Sequence, residues 1–184
     1  MTLRIFILLS FLSGLAWAEP DSAPIKNQTL HTVNFTTGEV EDLNTLEKGK
    51  NNVVIFMSSQ CHCSKSHKDH IKGLQTQFPN IHFVIVDSNV DEKLDVAHDY
   101  FADMGVPVIQ DQNFAIADAF KAYKTPHSFI VDPEGHIVYS GGVTDTNDFG
   151  HAQHFYLKDA LTAVQQNKKP PLAYARALGC EIKR

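Results

Sequence analysis

The stretch Asn52-Val53-Val54-Ile55-Phe56-Met57-Ser58-Ser59-Gln60-Cys61-His62-Cys63-Ser64 decides how this chain is read. Its opening, 52–57, is an apolar run of the kind that forms a strand buried on both faces. Beyond the cysteines, Ile71, Leu74 and Phe78 recur at i, i+3 and i+7, while Lys65, Lys68, Asp69 and Lys72 fill the other faces. That spacing predicts an amphipathic helix from Cys61 or Cys63 to Phe78, ended by Pro79. Cys61 and Cys63 therefore stand just after a buried strand and at the mouth of a helix. Unpaired backbone N–H groups and the positive end of the helix dipole favour thiolate over thiol there. Lys65, Lys68 and a protonated His62 or His67 act in the same sense.

Working outward, the alternation repeats. Residues 81–86 (IHFVIV) read as a strand, 90–104 as a helix closed by Gly105, 106–109 as a short strand and 114–123 as another amphipathic helix. Residues 128–131 and 136–140 flank Asp132-Pro133-Glu134-Gly135, a strong turn signal, and are expected to pair as a hairpin. A last helix is predicted over 155–166. Upstream, His31–Phe35 alternates and suits a strand running into a turn. Strands alternating with helices, then a β-hairpin, a helix and a tail, indicate a three-layer α/β fold with a mixed central sheet flanked by helices.

The 184 residues suit one domain, and with 43% hydrophobic residues the core needs no disulfide staples. A net charge of −5 gives no reason to expect nucleic acid or an anionic membrane as partner. Residues 1–18 (MTLRIFILLSFLSGLAWA) carry one positive charge, an apolar run and a small-x-small end at Ala16-Trp17-Ala18, the pattern of a secretory signal removed after Ala18. The expected organisation is signal 1–18, flexible lead-in 19–30, folded domain 31–168, and a C-terminal tail 169–184 carrying Cys180. No stable membrane insertion is expected after cleavage. Three cysteines are too few for a stapling framework; an odd count in an exported chain suggests one pair plus a free or exchanging thiol.

The strand, loop and Cys61-His62-Cys63-Ser64 at a helix start resemble the thioredoxin-like superfamily, with Cys61 at the attacking position and Ser64 where a second cysteine would stand. Lys124-Thr125-Pro126-His127-Ser128-Phe129 looks like that family's cis-proline loop, which implies that Thr125 and Pro126 face the active cysteine and dock substrate backbone. The run from Thr125 to Gly142 and the closing Ala177-Leu178-Gly179-Cys180 are similar to exported bacterial redoxins related to the alkyl hydroperoxide reductase and thiol-specific antioxidant group. The resemblance spans residues 31–184. It implies a thioredoxin-like fold, a bacterial periplasmic location, and protein or small-molecule disulfides and thiols as partners, with no cofactor. The oligomeric state is left open.

The chain departs from the family in places. Ile55 stands where thioredoxin keeps a buried acid, so no proton acceptor is evident. The peroxiredoxin pattern is half met: Ser58 lies three before Cys61, but Val54 replaces its proline, and Arg176 is the one remote candidate for a peroxide clamp. The expected activity is thiol–disulfide exchange with Cys61 as nucleophile and Cys63 or Cys180 as the resolving thiol. Ser58, His62, Ser64 and Lys65 are the expected tuners of the thiolate. Cys180 either resolves or merely pins the tail. The alternatives are a peroxiredoxin-type peroxidase and a copper-handling protein using Cys61, Cys63 and His67.

Overall fold

The computed structural model describes residues 30–34, 40–43, 46–111 and 113–184. The expected signal and nearly all of the lead-in lie outside these residues. In chain order the elements are β1 (Leu30–Asn34), β2 (Val40–Leu43), β3 (Asn52–Phe56), α1 (His62–Gln77), β4 (His82–Asp87) and α2 (Leu94–Phe101). There follow β5 (Val108–Gln110), α3 (Ala115–Phe120), β6 (Lys124–Thr125), β7 (His127–Val131), β8 (Ile137–Gly141), α4 (Tyr156–Gln165), β9 (Tyr174–Ala175) and β10 (Cys180–Glu181).

Eight strands form one mixed sheet in the order β2-β1-β5-β4-β3-β7-β8-β9, and β10 pairs with β6 in a second, two-stranded sheet. β3 lies at the centre, parallel to β4 and antiparallel to β7. Its side chains alternate between two cores, as a period of two requires. Val53, Ile55 and Met57 pack on one side with Ile71 and Leu74 of α1, Ala97 and Phe101 of α2, and Leu157 and Leu161 of α4. Val54 and Phe56 pack on the other with Ile116 and Phe120 of α3. The three-layer α/β architecture with a mixed sheet is therefore present, and it is the thioredoxin-like fold.

The hairpin forms as its turn residues dictate. β7 and β8 run antiparallel, Asp132 Oδ1 accepts from the Glu134 and His136 amides, and Gly135 takes a φ of 91°. α1 buries Ile71 and Leu74 on its core face and leaves Lys65 exposed.

Two helices are shorter than the periodicity predicts. α2 begins at Leu94 rather than near Val90, because Asn89, Val90 and Glu92 spend their polar groups on distant partners. α3 ends at Phe120, where Lys121 turns left-handed with a φ of 55°. Asp111 holds its start: the two carboxylate oxygens accept from the Ile116 and Ala117 amides at 3.1 and 2.9 Å.

The C-terminal segment is no loose appendage in its structure. β9 extends the main sheet alongside β8, and β10 returns to pair with β6. No helix among the described residues is long and apolar enough to cross a membrane.

Candidate active site

β3 and β4 are parallel neighbours, so the loops leaving their C-terminal ends lie side by side. The first, 57–61, leads into α1; the second, 88–93, leads into α2. Ser58 donates its hydroxyl to Glu92 Oε2 at 2.6 Å, and the Ser59 amide donates to Glu92 Oε1 at 2.6 Å. Ser64 Oγ accepts from the Ser58 amide at 3.2 Å. The loop is thus braced from both sides, and Cys61 is set at the N-cap of α1 with φ −80° and ψ 118°. No side chain caps that end, and no acidic residue stands in the first turn. The free amides of the helix start are therefore available to a thiolate at Cys61.

Opposite Cys61 lies the Thr125–Pro126 peptide bond, which is cis. Cys61 Sγ stands 2.9 Å from the Thr125 carbonyl oxygen. The tail closes the site from the other side. Cys180 is registered against Thr125 and Glu181 against Lys124, whose Nζ lies 3.2 Å from the Glu181 carboxylate. Cys61 and Cys180 form a disulfide across a sequence separation of 119, with Cα atoms 6.0 Å apart.

Contacts beyond the disulfide also hold the tail. The Ile182 amide donates to the Tyr123 carbonyl, and its side chain, 8% exposed, joins the core around Phe120 and Phe129. Burying such a side chain contributes roughly 2 kcal/mol. The Lys183 amide donates to Asn89 Oδ1 at 2.8 Å, and the Val90 amide donates to the Lys183 carbonyl at 3.2 Å. Ion pairs from Lys183 to Asp91 and from Arg184 to Asp118 add exposed contacts of small individual worth.

The structure sorts the sequence-derived residues clearly. Cys61, Cys63 and Cys180 come together: their sulfurs all lie within 4.8 Å of one another, and Cys63 is a buried free thiol. The Thr125 carbonyl sits against Cys61, and Pro126 follows it across the cis bond. Ser58 is buried in the loop and Ser64 in the first turn of α1, and their hydrogen bonds brace the loop backbone; His62 and Lys65 are exposed on α1.

His67 corrects an expectation. Its Nδ1 lies 2.8 Å from the Cys63 carbonyl and its Nε2 2.8 Å from Thr144 Oγ1, so both ring nitrogens are engaged and the set Cys61, Cys63 and His67 does not assemble. Burial holds its pKa below the usual imidazole range. Among the described residues, the third ligand atom beside Cys61 and Cys63 is the Cys180 sulfur.

Three buried acids, Asp87, Glu92 and Asp111, escaped the sequence reading. Ile55 is fully buried in the apolar core, and the carboxylate near the cysteine loop is Glu92, 5% exposed. The signal available was an acidic cluster directly after the strand that pairs in parallel with β3. Asp87, at the end of β4, is buried, and burial first, then the neighbouring Glu92 charge, pushes its carboxyl up to about 8. On the other side of the cis bond, His127 is buried between Tyr123 and Phe129, with ring centroids at 5.0 and 4.3 Å. Burial lowers its pKa to about 4.

The family described as Domain of unknown function (DUF6436) matches residues 31–182, and the chain belongs to it. The chain is 28% identical over 123 residues to the thiol-disulfide oxidoreductase ResA of Bacillus subtilis (strain 168), a match covering 66% of this chain and 65% of that protein. It therefore spans a little under two thirds of the relative's length. An uncharacterized conserved protein from Geobacillus kaustophilus superposes with a TM-score of 0.77 at 21% identity, covering 89% of this chain and 91% of the other. A secreted disulfide oxidoreductase of Mycobacterium tuberculosis, homologous to E. coli DsbE, superposes with a TM-score of 0.52 at 14% identity, covering 59% and 80%. These structural likenesses carry the fold.

Proposed function

We propose that this member of the DUF6436 family is an exported thiol–disulfide oxidoreductase in which Cys61 is the nucleophile and Cys180 the resolving thiol. The observation that carries the reading is the Cys61–Cys180 disulfide, formed at an uncapped helix start directly against a cis-proline loop. The likeness to ResA supports the same chemistry.

In the reductive direction, the Cys61 thiolate attacks one sulfur of a substrate disulfide. The S–S bond breaks, the far sulfur leaves as a thiolate, and a mixed disulfide remains on Cys61. The Cys180 thiolate then attacks the Cys61 sulfur, closing Cys61–Cys180 and releasing the second substrate thiolate. Substrate gains two electrons and the protein loses two; the reverse sequence oxidises a substrate dithiol, and the partner's potential sets the direction.

Thr125 and Pro126 dock substrate on this reading. Support comes from the tail itself, whose cysteine lies antiparallel along Thr125 while bonded to Cys61, the arrangement a substrate cysteine needs for its own mixed disulfide. Residues 31–168 then form the body and 169–184 the resolving arm, while 1–18 serve as an export signal and 19–30 as a lead-in, placing the protein in the bacterial periplasm.

The test is single-turnover reaction of the reduced protein with a disulfide-linked peptide. Cys61→Ser should abolish the reaction, and Cys180→Ser should trap the mixed disulfide on Cys61. Unchanged turnover in Cys61→Ser would sink the assignment. Faster consumption of hydrogen peroxide than of the peptide would put the peroxidase alternative first.

A further inference from the structure

We propose that the reduced protein binds one soft, thiophilic cation, Cu(I), through the sulfurs of Cys61, Cys63 and Cys180. Three sulfurs from two chain segments 119 residues apart already lie within 4.8 Å of one another. Metal–sulfur bonds of about 2.3 Å place the sulfurs of a trigonal site about 4 Å apart. Opening the disulfide moves Cys61 and Cys180 towards that separation, and Cys63 is already within reach.

Reduction does not free the tail. Pairing of β10 with β6, burial of Ile182, and the backbone bonds of Lys183 to Asn89 and Val90 hold Cys180 in place without the disulfide. The three thiols are thus gathered before any metal arrives.

The donor set selects the metal. Thiolates prefer Cu(I) to hard cations, and Cys61 and Cys63, 3% and 8% exposed, sit where few waters compete. Zinc favours four protein ligands in a closed site, and the cluster among the described residues has three. His67 is committed to Cys63 and Thr144 and supplies no fourth.

A dithiol reductant transfers two electrons and two protons to Cys61–Cys180 and leaves as a disulfide. One Cu(I) then displaces three protons from the three thiols. The oxidised protein has no such site, so occupancy follows redox state. The inference rests on Cys61 and Cys180 interconverting between disulfide and dithiol, as the proposed function requires.

The experiment is anaerobic titration of the full-length, dithiothreitol-reduced and desalted protein with Cu(I) against bicinchoninate, with X-ray absorption at the copper edge. Expected are one copper per chain, three sulfurs around it, and no retention by the oxidised protein. Cys180→Ser and Cys63→Ser should each weaken binding at least tenfold, with Cys63→Ala as a second variant should serine disturb the buried site. His67→Gln should leave affinity unchanged. Failure of the reduced protein to retain copper, wild-type affinity in Cys180→Ser, or a nitrogen ligand at the copper would overturn the site. Peptide-disulfide turnover is read on the same preparations. Turnover without copper retention overturns the metal site alone, and copper retention without turnover overturns the oxidoreductase reading alone.

Discussion

Gly179 passes so close to Thr125 that a Cβ on it would stand 2.2 Å from the Thr125 carbonyl oxygen. Backbone, not a flexible side chain, fills that space. The contact sets Cys180 in register with Thr125 and brings its Cα within 6.0 Å of the Cys61 Cα.

Gly179→Ala should therefore push the tail off β6. Overpacking of this kind costs about 1–3 kcal/mol. Redox equilibration with glutathione should show the Cys61–Cys180 disulfide reduced at roughly tenfold lower reductant or less. An unchanged equilibrium would mean that the tail relaxes around the methyl group at no cost.

Cys180→Ser should lower the unfolding free energy of the oxidised protein by about 2–4 kcal/mol, because the disulfide closes a long loop in the unfolded chain. Urea denaturation of wild type and variant checks this. Coincident curves would mean that the bond is not formed in solution.

Glu92 accepts from the Ser58 hydroxyl and the Ser59 amide, both buried. Glu92→Ala leaves these donors unpaired and should cost about 2–3 kcal/mol. Glu92→Gln, which keeps one acceptor oxygen, should cost less. Equal losses in the two variants, read by thermal unfolding, would argue against the bracing role.

Asp87 holds its proton more tightly in the folded protein than in the unfolded chain, its carboxyl being raised from 3.8 to about 8. The stability this confers is full below about pH 4 and is lost as pH rises through about 8. Between pH 5 and 9 the melting temperature of Asp87→Asn should fall less than that of wild type. Parallel declines would remove Asp87 as the cause.

His127 has the opposite sign. Burial lowers its pKa from 6.5 to about 4, so the folded state binds its proton less readily than the unfolded chain. Its contribution is full above pH 6.5 and is lost as pH falls through 4, amounting to at most about 3 kcal/mol. His127→Phe should flatten the acid side of the stability profile. A wild-type slope in that variant would place the acid sensitivity elsewhere, with half-buried His70 the next group to test.

Local pattern carried the parts of the fold made by short-range rules. The apolar run at 52–57, the i, i+3, i+7 spacing of Ile71, Leu74 and Phe78, and the Asp132–Gly135 turn each name an element that exists. The periodic signal failed at α2 and α3. Val90 and Glu92 would extend a helix by pattern, but their polar groups serve Lys183 and the Ser58–Ser59 loop instead. Such partners lie tens of residues away, beyond any window of periodicity.

By itself the sequence determined the βα frame and the position of Cys61 at a helix start, because backbone geometry and burial period act over a few residues; the proline loop opposite Cys61 was legible only through the family resemblance. The sequence left three cysteines with more than one pairing open, a C-terminal segment with no assigned partner, and no acid near the cysteine loop. Tertiary structure decided all three. The parallel pairing of β3 and β4 brings Glu92 beneath Ser58, and the return of residues 179–184 over Thr125 selects Cys180 as the partner of Cys61. Contacts between residues 34 and 119 positions apart are set by how the sheet stacks its loops, and no local run of residues encodes them.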